Sequence, residues 1–154
     1  MVEPSRMAPI TPWLVYCDGS ALPNPGRMGL GAVFTEPNGT RHTLSLTAPE
    51  TGCNNEAEVR ALMVTLQALK LRGAQSILIH SDSRVVVEQM GCDTAKPIAR
   101  LAPLFDEARA LLNSFEQATL AWIPGHRNSE ADALARAALG ITTPRVVKAR
   151  KKRR

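Results

Sequence analysis

The sequence predicts an α/β domain built on a mixed sheet, and three observations lead there. Short apolar runs alternate with longer stretches of helical period. Two early runs are joined by Pro37-Asn38-Gly39, turn chemistry that closes an antiparallel hairpin. Later, a long helical stretch feeds the continuous apolar run Ile77-Leu78-Ile79, an order that suggests a parallel crossover beside the first strand.

In chain order, residues 1–12 hold Pro4, Pro9 and Pro12 without periodicity and are expected to be a flexible lead-in. The first strand is Trp13 to Asp18, an apolar run that stops on a carboxylate before Gly19, where the backbone is free to turn. Gly19 to Gly29, with Pro23, Asn24, Pro25 and Gly26, has turn chemistry throughout. Strands follow at Leu30 to Thr35 and Arg41 to Leu46, then a loop from Thr47 to Cys53. Asn54 is the expected N-cap of a helix ending near Leu71, closed by Gly73. Its positions Glu58, Leu62, Thr65 and Leu69 fall on one stripe, flanked by Ala61, Val64 and Ala68.

Ile77 to His80 is the fourth strand and runs into Ser81-Asp82-Ser83. A short helix spans Arg84 to Met90, Gly91-Cys92-Asp93 interrupts it, and a further helix spans Arg100 to Phe115. The fifth strand is Thr119 to Ile123, followed by the loop Pro124-Gly125-His126. The last helix starts near Asn128 and ends at Ala138, with Ala131, Leu134, Ala135 and Ala138 inward and Gly140 closing it.

At 154 residues with 44% hydrophobic side chains, the chain suffices for one domain with a full core, placed here at 13–141. No apolar run reaches the roughly 20 residues of a membrane span, and Met1 to Arg6 lacks the apolar centre of a signal peptide, so a cytoplasmic protein without membrane contact is expected. Cys17, Cys53 and Cys92 are an odd number with no metal-ligand spacing, which suits reduced thiols, although one pair could bridge. The net charge of +5 is concentrated at one end. Seven Lys and Arg residues lie between Arg145 and Arg154, leaving 12 basic against 14 acidic residues elsewhere. The segment 142–154 is thus a basic tail, expected to be disordered, and either a solubilising end or a tether to phosphate backbones.

Four acids draw attention by their settings. Asp18 and Asp82 each end an apolar strand, Glu58 lies on or beside the inward stripe of a helix, and Asp132 opens the last one. Parallel strands that end at one edge of an open sheet would bring Asp18 and Asp82 together there. Clustered carboxylates repel one another, and hard divalent cations with oxygen ligands relieve that repulsion. Taken singly, Glu58 also suits a side chain that snorkels to the helix edge.

Asp18-Gly19-Ser20, Asn24-Pro25-Gly26, Gly29 with Gly31, Asn54-Asn55-Glu56-Ala57-Glu58, Ser81-Asp82-Ser83, Trp122-Ile123-Pro124-Gly125-His126, Asn128 and Asp132-Ala133-Leu134-Ala135 occur in an order and spacing that resemble type 1 ribonuclease H. The resemblance covers residues 13 to 140 and implies a ribonuclease H-like fold, a five-stranded mixed sheet flanked by helices on both faces. It also implies a metal-dependent endonuclease that hydrolyses the RNA strand of RNA/DNA hybrids, leaving 5′ phosphate and 3′ hydroxyl ends. Asp18, Glu58, Asp82 and Asp132 would be the catalytic carboxylates holding two Mg2+ ions, with Mn2+ as a substitute. By the same resemblance Asp18 would bridge both ions, Asp132 would help hold the one that activates water, and Glu58 and Asp82 the other. His126 matches a mobile histidine that moves protons or aids product release. Asn24, Asn54, Asn55, Cys53 and Asn128 match positions that approach nucleic acid.

The chain departs from the family pattern in three places. Between Asp82 and Arg100 it lacks a basic, Trp-containing protrusion, so it resembles a compact form whose grip on substrate must come from elsewhere, with the basic tail as the candidate. Cys53 stands where a Thr often meets a DNA phosphate, and a thiol donates weakly. The loop from His126 to Asp132 is short. These departures leave two other readings open: a broader duplex nuclease that also cuts double-stranded RNA, and a noncatalytic hybrid-binding module. A monomer is expected.

Overall fold

The computed structural model describes residues 10–91 and 98–142. The expectations for the lead-in up to residue 9, for the break at Cys92-Asp93 and the short segment after it, and for the basic tail from residue 143 lie outside these residues. Five strands form one sheet: β1 (Trp13–Leu22), β2 (Gly26–Thr35), β3 (Arg41–Gly52), β4 (Ser76–Ser81) and β5 (Gln117–Trp122). Their spatial order is β3-β2-β1-β4-β5. The β1–β2 and β2–β3 pairs are antiparallel, whereas β1–β4 and β4–β5 are parallel, so the sheet is mixed as expected.

Four helices complete the described fold: α1 (Asn54–Leu71), α2 (Arg84–Gly91), α3 (Ala102–Asn113) and α4 (Ser129–Ala138). The main core joins α1, α2 and α3 to one face of the sheet, with Val15, Cys17, Ile77 and Ile79 meeting Val59, Leu62, Leu66, Val86 and Phe105. The expected stripe of α1 is buried at Leu62, Thr65 and Leu69, and a second line, Val59, Met63 and Leu66, is buried too because α3 also packs on this helix. At a fully buried position such as Leu62, truncation to Ala would cost about 2–5 kcal/mol. Helix α4 lies on the opposite face across β1, β2 and β3, where Ser45 Oγ and Thr47 Oγ1 donate to the carbonyls of Leu134 and Ala138.

Several boundaries differ from expectation. The stretch from Gly19 to Gly29 is strand on both sides of a short turn, because β1 and β2 stay paired out to Leu22 and Arg27. Its glycines serve close packing. A Cβ on Gly19 would stand 2.1 Å from the Ala57 carbonyl oxygen of α1, and one on Gly31 would stand 2.4 Å from the Ala135 amide nitrogen of α4. Similarly, β3 continues past Leu46 to Gly52, since β2 offers it partners as far as Gly26. The helix expected at Arg100 begins instead as a 3-10 turn at Ala99–Leu101 and becomes α3 with Pro103 in its first turn, where proline's missing N–H is harmless. Asn54 is not the N-cap of α1. Cys53 holds that position and its sulfur accepts from the Glu56 amide at 3.5 Å, which leaves the Asn54 side chain for another use.

Candidate active site

The site forms where β1 and β4 end side by side. These strands are in register at Tyr16 and His80, so Asp18 and Asp82, two residues further along each, stand together at the edge where side chains leave the sheet. From one face, α1 brings Glu58 close enough for Oε1 to accept from the Gly19 amide at 3.2 Å. This approach depends on Gly19 having no side chain. From the other face, α4 presents Asp132 in its first turn, and its contact with Gly31 fixes how near that turn comes.

Ligand oxygens of Asp18, Glu58 and Asp82 lie within 4.8 Å of one another. Asp132 completes the cluster through a hydrogen bond between its carboxyl group and that of Asp18, and Asp18 also bonds the carboxyl groups of Glu58 and Asp82. Asp18 is therefore the hub. It is 5% exposed, and burial together with the charges of Glu58, Asp82 and Asp132 pushes its pKa up to about 10. Burial and the Asp82 charge raise Glu58 to about 8. Asp82 is raised as well, chiefly by burial, against hydrogen bonds from Asn128 and Asp18. Behind the cluster, burial and then the charges of Glu58, Asp18 and Asp82 push the Cys17 thiol well above its usual range, which makes it an inert core group. An oxygen-only donor set whose members would otherwise retain protons fits a hard divalent cation.

His126 occupies a 3-10 turn, Gly125–Arg127, and is exposed. The turn abuts the cluster, since a Cβ on Gly125 would lie 3.7 Å from Asp82 Oδ2. On the α1 side, Asn24 Oδ1 accepts from the Asn54 amide at 3.0 Å and Asn54 Oδ1 accepts from the Ala21 amide at 2.8 Å. Both carbonyl ends are thus engaged within the protein, and the amino ends remain as donors at an exposed surface. Asn55 is half-buried, and its backbone amide reaches the Cys53 sulfur. Asn128 corrects the expectation of a nucleic-acid contact: it is 1% exposed, with Nδ2 donating to the Cys17 carbonyl at 3.0 Å.

Two arginines here, Arg100 and Arg84, escaped the sequence reading as site residues. Arg100 Nη1 donates to Cys53 Sγ at 3.4 Å. Burial alone would raise the Cys53 thiol, but the Glu56 amide, Arg100 and the Asn55 amide outweigh it and set the pKa below the ordinary value. Trp122 Nε1 donates to the Asp82 carbonyl at 3.1 Å, while the Arg84 guanidinium lies 4.0 Å over the Trp122 ring. Arg84 directly follows Ser81-Asp82-Ser83, a placement that offered a signal. Arg100 offered none, because its neighbour Cys53 is distant in sequence.

The fold and its carboxylate cluster are those of a reverse-transcriptase-like domain, and the family of that description matches residues 16–138. "Ribonuclease HI" of Halobacterium salinarum is 31% identical over 141 residues, covering 90% of this chain and 68% of that protein. The crystal structure of RNase H1 from the same archaeon has a TM-score of 0.78 at 30% identity, covering 84% of this chain and 98% of the other. LC11-RNase H1, solved in complex with an RNA/DNA hybrid, has a TM-score of 0.73 at 28% identity, covering 83% and 96%. "Bifunctional protein Rv2228c" of Mycobacterium tuberculosis is 35% identical over 127 residues, which are 82% of this chain. The chain spans only about a third of that relative, 35% of its length. This chain belongs to the type 1 ribonuclease H family.

Proposed function

We propose that the protein is a metal-dependent endoribonuclease that hydrolyses the RNA strand of RNA/DNA hybrids. The observation that carries this reading is the convergence of Asp18, Glu58 and Asp82 within 4.8 Å at the end of two parallel strands, with Asp132 bonded to the hub. In this reading Asp18, Glu58, Asp82 and Asp132 hold two Mg2+ ions, or Mn2+ in their place. Bound there, the ions would supply a nucleophilic water at neutral pH and stabilise the leaving 3′ oxygen, giving 5′ phosphate ends.

The chain's own residues then have distinct tasks. Glu58 is held by the Gly19 amide, so its carboxylate faces the cluster in one orientation. His126, exposed on the turn beside Asp82, is placed to pass a proton between bulk water and the leaving group. The amino groups of Asn24 and Asn54 point donors at the minor groove, where RNA 2′ hydroxyls can accept them. Cys53 at the start of α1, with Arg100 beside it, would receive a phosphate of the DNA strand. Arg100 there supplies the charge-assisted bond that a thiol cannot. No described helix is long and apolar enough to cross a membrane.

The experiment is cleavage of one labelled RNA strand presented as single strand, RNA duplex and RNA/DNA hybrid, with Mg2+, Mn2+ or chelator. Metal-dependent cutting of the hybrid alone is the expected result. Cutting of both duplexes would replace it with a broader nuclease, and binding without cutting under either metal would reduce the protein to a hybrid-binding module.

A further inference from the structure

Asn128 is buried among the elements of the site and has hydrogen bonds to three of them. Its amide nitrogen donates to the Gly125 carbonyl at 2.9 Å and closes the turn that carries His126. Its carbonyl accepts from the Asp132 amide at 3.0 Å and so sets the first turn of α4. Its side-chain Nδ2 donates to the carbonyl of Cys17, the residue before Asp18, at 3.0 Å. The same side chain lies beside the Asp82 carboxylate and helps to hold its pKa down against burial. One residue thereby ties together the ends of β1 and β4, the His126 turn and the start of α4.

The direction of the amide carries further information. Asn128 Oδ1 is buried and has no hydrogen-bond partner among the described protein groups. A buried carbonyl oxygen without a protein partner is unfavourable, and turning the amide over would set that oxygen against two acceptors, the Cys17 carbonyl and the Asp82 carboxylate. The side chain is consequently held with its amino group toward the cluster. At 1% exposure, neither end of it can reach nucleic acid.

We propose that Asn128 is a positioning residue of the active site, acting through its amino group to set the spacing of Asp82 against Asp18 and Asp132. This rests on the nuclease reading above and deepens it. Asn128 touches no substrate; it orients the groups that hold the metal, as hydrogen-bond partners behind ligands commonly do.

The test compares the wild-type chain with Asn128→Ala. On a labelled RNA/DNA hybrid with Mg2+, kcat is expected to fall about 10–100-fold. KM should stay within about twofold, because a buried residue makes no ground-state contact with substrate. Mn2+ binding to the free protein, followed by titration calorimetry, should weaken by a comparable factor. In an Asp82→Asn background the same substitution should weaken Mn2+ binding far less, since the carboxylate it orients is gone. A raised KM at unchanged kcat would return Asn128 to the nucleic-acid surface and overturn the proposal. So would unchanged kcat and metal affinity, or an equal loss of affinity in both backgrounds, the mark of general loosening. If circular dichroism shows Asn128→Ala unfolded, Asn128→Ser, which keeps one donor, enters the same comparisons. A wild-type chain that cuts no hybrid with either metal would refute the nuclease reading, whereas the calorimetric cycle would still decide the role of Asn128.

Discussion

Asp82 belongs to the carboxylate cluster and the turn that carries His126 abuts it, and paired substitutions test whether the proposed tasks of the two differ. Asp82→Asn keeps the side chain's size but removes a charged ligand oxygen. It is expected to lower kcat by about two to three orders of magnitude, comparable to deleting one preorganised charge-stabilising group, with an unchanged circular dichroism spectrum. His126→Ala, on an exposed turn, should slow turnover distinctly less. Steady-state cleavage of hybrid measures both, and near wild-type turnover of Asp82→Asn would remove it from the site. The four acids were legible in the sequence because each interrupts or opens an apolar element, which is unfavourable without a purpose. Asn128 was legible only as a residue type. That it faces inward to Cys17 and Asp82 depends on contacts 111 and 46 positions away along the chain.

Among the elements, the glycines of β1 and β2 determine how the helices carry their acids to the sheet. Gly31→Ala would place a methyl group 2.4 Å from the Ala135 amide and 2.5 Å from the Ala131 carbonyl oxygen, both backbone atoms that cannot swing aside. The substitution should destabilise the fold by about 1–3 kcal/mol, the usual range for overpacking. It should also reduce turnover beyond what the unfolded fraction explains, because α4 and Asp132 must move outward together. Urea denaturation and cleavage at a temperature well below the midpoint check the two effects; a variant stable and active as wild type would show that α4 is not held by this contact. The same glycines explain the boundary differences. Gly and Pro at this density read as turn, but the glycines within β1 and β2 permit backbone-to-backbone approach, and which use applies depends on what packs against them.

Across the whole molecule, the charge cluster links stability to pH and metal. With Asp18 raised to about 10 and Glu58 to about 8, the metal-free folded state binds more protons than the unfolded chain above the ordinary carboxylate range. The stability these protons support is full at low pH and is lost as pH rises through about 8 and then about 10. The metal-free Tm should therefore fall between about pH 5 and pH 9, and Mg2+ should raise it more at the upper end, where the carboxylates are free to bind. Differential scanning calorimetry with and without chelator measures this; a flat metal-free profile would contradict the cluster's electrostatics. The basic segment adds a second charge effect. Removing residues 145–154 deletes seven cations, so hybrid binding should weaken most at low salt and its dependence on log salt should flatten. An unchanged salt slope would show that the segment does not meet phosphate.

Read alone, the amino-acid order indicates the element sequence, the mixed pairing of the sheet and the acids Asp18, Glu58 and Asp82 that the fold gathers at one edge. Those properties rest on short-range patterns: periodicity, turn residues, and a carboxylate where an apolar run stops. Tertiary structure decided the remainder. It extended β1 and β2 through a glycine-rich stretch, moved the N-cap of α1 to Cys53, set Arg100 beside that thiol and turned Asn128 into the interior. Each of these outcomes depends on what a distant segment presents at contact distance, and the free energy of burial and hydrogen bonding there outweighs local propensity.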